Sequence, residues 1–150
     1  MSLIGRLIKL SPAHLRVLGE AVFGLAIAAI LLRFWSFRRI AAHIGHVQPA
    51  HASAVPFRPG PLSGPAERIA WGLAAAARHV PWPALCLVQA LAGAWMLRRR
   101  QMAYEIILGV QRGNRESLSA HAWLTMGEGI VTGGHVDPAG YNFVAIFSRS

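Results

Sequence analysis

The N-terminal third of the chain has an apolar pattern that predicts helices. Residues 21–32 read AVFGLAIAAILL, twelve residues without a polar side chain. This run is shorter than the roughly 20 residues that span a bilayer, and it starts too late to be a signal peptide's apolar region. We predict one or two helices from Pro12 to about Ile44, with Ser11 as N-cap and Pro12 in the first turn. Because their apolar surface exceeds one face, we expect them to pack on the rest of the protein or on a partner.

The next stretch, residues 47–65, contains five of the nine prolines and predicts a linker. The chain therefore divides into an N-terminal helical segment (1–46), a Pro-rich linker (47–65) and a C-terminal domain (66–150). His43, His46 and His51 lie near the start of the linker and suggest a metal site only weakly, since no fourth ligand accompanies them. We interpret them as solvated histidines and expect neither a metal nor another cofactor.

In the C-terminal domain, helical periodicity gives way to strand periodicity. A helix is expected over Ala66–His79, followed by a break and a second helix from about Ala84 to Arg100, with Pro83 in its first turn. The strands that we predict are Tyr104–Val110, Leu118–Met126, Ile130–Thr132 and Asn142–Phe147. Helices followed by a small antiparallel sheet indicate an α+β fold in which the second helix lies at the centre.

The composition excludes several classes of protein. Hydrophobic residues make up 54% of the 150 residues, far too many for intrinsic disorder. A single cysteine, Cys86, excludes both an internal disulfide and a cysteine-based zinc site. Six acidic residues are too few for calcium loops or paired-metal sites.

The formal net charge of +9 leaves three interpretations open. Arginines that collar apolar helices as solvated groups explain it most simply. The alternative is a non-catalytic basic helical protein that associates with a membrane surface or nucleic acid. We expect no nucleic-acid partner, because the arginine clusters lack interleaved aromatic residues, and we do not favour membrane association. An acidic peptide or partner surface is the third possibility.

Two residues carry most of the predicted chemistry. Cys86 falls in the first turn of the central helix, where unpaired N–H groups and the helix dipole stabilise a thiolate. His121 lies on a predicted strand, and a nucleophilic cysteine needs such a base, distant in sequence but adjacent in the fold. The alternative roles are a small buried side chain for Cys86 and a satisfied structural histidine for His121.

Asp137 is the candidate third group, which would orient the imidazole and stabilise its charged form. It follows His121 by sixteen residues, and the Asp-Pro pair is also a common turn. Asn142 or Glu128 could take the same role.

The block PWPALCLVQALAGAWMLRRR, followed by IILGVQRG and LSAHAWLTMGEGIVTGG, resembles the lasso-peptide biosynthesis leader peptidases. These are transglutaminase-like cysteine proteases with a papain-like order of groups, and the resemblance covers about residues 66–147. It implies a Cys-bearing helix packed on a small antiparallel sheet, with Cys86 as nucleophile and His121 as base. The family aspartate lies closer to the histidine than Asp137 does, and the matching region reads Gly133-Gly134-His135. Gln101 replaces a family glycine, a change that we interpret as neutral.

The resemblance also implies a function and partners. The expected reaction is removal of the leader peptide from a ribosomally made precursor, in the cytoplasm, before ring closure. The implied partners are the precursor's leader region, a small leader-recognition protein and an asparagine-synthetase-like macrolactam cyclase.

Overall fold

Within residues 11–49, 60–113 and 117–149, which the computed structural model describes, four helices accompany a five-stranded antiparallel sheet. The helices are α1 (Pro12–Phe34), α2 (Phe37–Ile44), α3 (Gly64–Ala77) and α4 (Cys86–Arg99). The strands are β1 (His46–Pro49), β2 (Tyr104–Arg112), β3 (Leu118–Met126), β4 (Gly129–Thr132) and β5 (Asn142–Arg149). The α+β class is confirmed.

The N-terminal segment forms two helices that belong to the core. Ser11 caps α1 by accepting a hydrogen bond from the His14 backbone N–H at 3.4 Å, and Pro12 occupies the first turn, as predicted. One stripe of α1 is buried against α3 and α4, where glycines allow the backbones to approach closely. A Cβ at Gly72 would lie 2.8 Å from Val17 Cγ1, and one at Gly24 would lie 3.3 Å from Ala92 Cβ.

The other sides of α1 remain apolar and largely exposed. By length and composition alone, α1 could cross a membrane, yet 28% of its most apolar 18-residue window is buried inside the fold. Mostly buried core helices of soluble proteins and signal sequences near an N-terminus pass the same test, so length and composition alone do not place α1 in a bilayer. Among the described residues, nothing covers this apolar face of α1.

The sheet has the strand order β1-β5-β2-β3-β4. In the centre, β2 pairs with β3 so that Gly109 lies opposite His121 and Ile107 opposite Trp123. The predicted bounds of β3 are confirmed, while β2, β4 and β5 each extend slightly beyond their predicted ends. β1 was not predicted: it lies at the edge of the sheet, and Val47 pairs with Phe147 from the far end of the chain.

Helix α4 lies across the sheet and packs on β3. A Cβ at Gly93 would collide with Leu124 Cδ2, so the absence of a side chain there sets the close approach of the two elements. A connection of only four residues joins α4 to β2. The central position of the Cys-bearing helix is as expected from its apolar sequence.

The structure contradicts the predicted first turn of α4 and leaves the predicted linker untested. α4 begins at Cys86 with Leu85 as N-cap, so the prediction that Pro83 occupies its first turn is wrong. The linker, and the domain boundary drawn there, stays a prediction, since residues 50–59 and His51 with them lie outside the described residues. His43 and His46 are exposed, as solvated histidines are.

Candidate active site

Cys86 is the first residue of α4, and its thiol is free and partly buried against the core. The N-cap residue Leu85 is extended (φ −62°, ψ 163°) and cannot accept a hydrogen bond through its side chain. The Gln89 side chain holds the preceding turn instead, by donating from Nε2 to the Ala84 carbonyl at 2.7 Å. The first-turn N–H groups beside the thiol therefore receive no capping side chain, and they can stabilise negative charge.

His121 lies in β3 and is 8% exposed. Its Nε2 is 3.2 Å from the Gly133 carbonyl oxygen. A carbonyl can only accept, so Nε2 must carry a proton and donate it. In the neutral imidazole the lone pair then lies on Nδ1, which makes Nδ1 the basic nitrogen.

The imidazole is enclosed by aromatic rings. Its centroid is 4.6 Å from the Trp123 ring, 5.4 Å from His135 and 6.3 Å from Tyr141. Trp123 is fully buried, and its indole donates to the Val136 carbonyl at 3.2 Å, which fixes the loop 133–141 over this side of the sheet. This loop shields His121 from solvent.

Burial lowers the pKa of His121 below its ordinary value of 6.5. The hydrogen bond to Gly133 opposes this shift, and the nearby His135 adds to it. Desolvation penalises the charged imidazolium, so the neutral form is favoured near pH 7. A histidine held neutral, with its proton on Nε2, is suited to accept a proton at Nδ1.

Gly133 can adopt this position because it is a glycine. Its φ of +90° lies in a region that side chains rarely adopt. A Cβ there would lie 2.6 Å from the Ala122 carbonyl oxygen and 3.1 Å from His121 Nε2. β4 ends at Thr132, and the chain turns at Gly133 to bring a backbone carbonyl to the imidazole.

Cys86 and His121 lie at similar distances, each along its own element, from the contact between α4 and β3. Gly93, which faces Leu124, is seven residues after Cys86, and Leu124 is three residues after His121. Seven helical residues and three strand residues each span about 10 Å.

The two groups are not joined in this structure. Across the described ranges, no hydrogen bond links the Cys86 thiol to His121, and strand alternation directs Ala122 and Leu124 toward α4. His121 alternates with these two residues and packs with Trp123 and Tyr141, so its imidazole lies on the face of β3 that is turned away from α4. The roles of Cys86 and His121 as nucleophile and base therefore stay predictions.

Asp137 is exposed, and its Oδ1 accepts a hydrogen bond from the Ala139 backbone N–H at 2.9 Å. This is an Asx turn within the loop that covers His121. Neither Asp137 nor the alternatives Asn142 and Glu128 hydrogen-bonds His121 in the part of the chain that the structure describes. The third role of Asp137 also stays a prediction, and the structure gives the Nε2 position to the Gly133 carbonyl.

The sequence drew attention to the Gly133-Gly134-His135 region only as a departure from the family pattern. The Gly133 carbonyl could not be identified, because a backbone acceptor has no residue-type signature. The one signal in the sequence was the position of these glycines, which stand where the resemblance places the family aspartate. The expectation that Gln101 is a neutral replacement for the family glycine is wrong. Its φ of 55° lies in the left-handed region, where a residue with a Cβ carries a steric cost.

Comparison with known proteins agrees with this architecture. Searches of the curated proteins and of the solved structures each gave no match. A profile of the transglutaminase-like superfamily matches residues 23–146, from within α1 to within β5, and so includes both Cys86 and His121. The chain belongs to the transglutaminase-like superfamily, which includes cysteine peptidases.

Proposed function

We propose that this protein is a cysteine peptidase that removes the leader peptide from a lasso-peptide precursor. The observation that carries the proposal is the tautomer of His121: the Gly133 carbonyl holds the proton on Nε2 and leaves Nδ1 basic. The thiol of Cys86, at the uncapped N-terminus of α4, is the nucleophile that this base would serve. Membership of the superfamily supports the cysteine peptidase class.

The reaction that we propose requires the Cys86 thiol and His121 Nδ1, which this structure leaves apart, to come within hydrogen-bond distance, and it begins with proton transfer from the thiol to Nδ1. The thiolate attacks the scissile carbonyl carbon of the precursor, and the Cys86 backbone N–H stabilises the oxyanion. The imidazolium then donates its proton to the amide nitrogen, the C–N bond breaks, and the core peptide leaves with a free amine. The leader remains as a thioester on Cys86.

Water completes the cycle. His121 Nδ1 takes a proton from water, the hydroxide adds to the thioester carbonyl, and the C–S bond breaks to release the leader carboxylate and regenerate the thiol. Throughout, the Gly133 carbonyl orients the imidazole and stabilises the imidazolium through Nε2–H. In our proposal this dipole does what a carboxylate does in a triad, and Asp137 is the alternative third group.

The substrate and partners follow from the resemblance to leader peptidases. We propose that the protein acts in the cytoplasm on the precursor's leader region, with a leader-recognition protein and an asparagine-synthetase-like cyclase as partners. The net charge of +9 would favour an acidic leader or an acidic partner surface.

Mass spectrometry of precursor incubated with the protein, with and without the recognition partner, tests the proposal. We expect one cut between leader and core, and a loss of about 10³-fold or more in Cys86→Ala. Cys86→Ala that cleaves at the wild-type rate would overturn it. Asp137→Asn tests the alternative orienting group: a lower rate per folded molecule would give that role to Asp137, and an unchanged rate would leave it with the Gly133 carbonyl.

A further inference from the structure

A second concave surface lies away from the candidate active site. An apolar groove of about 370 Å³ opens between α1, α2 and α4. Its walls include aromatic and aliphatic side chains from all three helices, namely Phe23, Ile27, Trp35, Ile40, Leu91 and Trp95. Trp95 is nine residues beyond Cys86 in α4, about 13 Å along the helix axis. The groove is therefore separate from the thiol.

The groove continues onto an exposed apolar ridge of α1. The ridge consists of four side chains at helical spacing, namely Phe23 (57% exposed), Ile27 (41%), Ile30 (53%) and Phe34 (76%). Residues at such spacing form one continuous stripe on a helix. Large exposed apolar patches on soluble proteins mark interaction sites, and a stripe of this periodicity beside a groove suits a second helix.

One arginine side chain, Arg98, lines the rim of the groove, and a second, Arg99, lies beside it. His43 also lines the rim, and Arg98 donates to the His43 carbonyl at 3.1 Å. The Arg99 guanidinium lies 4.9 Å above the Trp95 ring. Glu20 is the single acidic residue of α1, α2 and α4, and it is bound by Arg99 and Arg100. No carboxylate on these three helices is left to neutralise the rim.

We propose that this groove binds an acidic amphipathic helix of a partner protein. Apolar side chains of that helix would fill the groove and cover the ridge, and its carboxylates would pair with the rim arginines. The proposal stands whether or not Cys86 is a nucleophile, because the groove contains neither Cys86 nor His121.

Charge argues against two other occupants, and shape argues against a third. Residues 1–10 and 50–59 of this chain carry Arg6, Lys9 and Arg58 but no acidic residue, so they do not complement the rim. A second copy brings another +9 and adds repulsion. A membrane surface is anionic, but it is flat and would leave the concave part of the groove unfilled.

The test measures binding of the full chain to a fluorescein-labelled synthetic helix of about three heptads, with leucine at a and d and glutamate elsewhere. We expect saturable binding by anisotropy and a blue shift of tryptophan fluorescence. Phe23→Ser with Ile27→Ser should weaken binding about tenfold or more. The matched control is Leu15→Ser with Val22→Ser, which alters equally apolar, exposed positions of α1 outside the groove.

A second pair of variants tests the charge. Arg98→Glu should weaken binding more than Arg16→Glu, which reverses an exposed charge elsewhere on α1. A glutamine version of the peptide should bind more weakly and with less salt dependence. Circular dichroism and thermal unfolding establish that each variant is folded.

Three results would overturn the proposal. One is a peptide affinity that the groove variants and their controls reduce equally. Another is binding to phosphatidylserine vesicles, but not to the peptide, that the groove variants abolish. The last is a wild-type dimer in sedimentation experiments that dissociates when Phe23 and Ile27 are replaced.

Discussion

The two ends of α4 are built in opposite ways. At the N-terminus, Leu85 offers no capping side chain, so the N–H groups beside Cys86 have no side-chain acceptor. At the C-terminus, Arg100 donates to the Met96 carbonyl at 2.8 Å and forms a two-point ion pair with Glu20 of α1, at 2.6 and 3.0 Å. At one end, no side chain among the described residues accepts from the first-turn N–H groups; at the other, Arg100 itself binds a last-turn carbonyl and links the helix to α1 through Glu20.

This difference separates reactivity from stability along one helix. Capping groups at an N-terminus stabilise a helix but occupy the donors that would otherwise stabilise a thiolate or an oxyanion. The arginines at the other end complement the helix dipole and fasten α4 to α1. We therefore expect changes at the C-terminal end to alter stability alone, and changes at the N-terminal end to alter stability and thiol chemistry in opposite directions.

Glu20→Gln should have the largest effect on stability, a loss of about 2 kcal/mol in the free energy of unfolding. The Glu20 side chain is 18% exposed, and its replacement leaves Arg100 without a charged partner. Urea denaturation measures the loss, and alkylation of Cys86 in the folded state should keep its wild-type rate. Glu67→Gln, an exposed position in α3, is the control and should change stability by less than about 0.5 kcal/mol. A changed alkylation rate in Glu20→Gln would contradict the separation of the two ends.

Leu85→Ser tests the opposite end. A serine at the N-cap should stabilise the protein by about 1 kcal/mol, because its hydroxyl accepts a first-turn N–H that now lacks a side-chain acceptor. The same hydrogen bond should slow alkylation of Cys86 by iodoacetamide. Leu85→Ala is the matched control, since it removes the exposed leucine without adding an acceptor. Stabilisation with unchanged alkylation would show that these N–H groups do not act on the thiol.

The sequence predicted those parts of the molecule that depend on local pattern. β3 (Leu118–Met126) is followed by the turn residues Gly127-Glu128-Gly129 and preceded by Gly113-Asn114, so its bounds agree with the prediction. β1 could not be found locally, because His46–Pro49 is an edge strand whose pairing partner, β5, is almost a hundred residues away. A proline in such a segment also favours a linker over a strand.

The candidate site likewise contains residues that the sequence identified and a contact that it did not. Residue type and position in an element identified Cys86 and His121 as candidates. Which group touches Nε2 depends on the path of the chain after β4, and that path is set by the positive φ of Gly133 rather than by a chemical side chain. Asp137 was the obvious candidate by composition, but its carboxylate is used within its own turn.

Gln101→Gly, just beyond the C-terminal end of α4, should raise the free energy of unfolding by about 0.7 kcal/mol. Gln101 has a φ of 55°, and its N–H donates to the Arg98 carbonyl at 3.0 Å, as in a residue that ends a helix. Glycine adopts this conformation without the steric cost of a Cβ. Thermal unfolding measures the gain, and Gln101→Ala, which keeps the Cβ, should give none. A gain shared by both variants would locate the cost in the glutamine side chain instead of the backbone.

The smallest effect that we expect concerns the pH dependence of stability at the site end. The pKa of His121 is lowered in the fold, chiefly by desolvation, so the unfolded chain binds more protons than the folded protein once the pH falls below about 6.5. The free energy of unfolding should therefore fall between pH 6.5 and the lowered pKa, and this contribution should be constant above pH 6.5. His121→Gln removes the titrating group, so its stability, referenced to its own value at pH 8, should decline less on acidification. Urea denaturation of both proteins from pH 8 to pH 5 makes the comparison. Parallel curves of stability against pH would mean that His121 is not buried in its neutral form. That result would remove the basis for treating Nδ1 as a base.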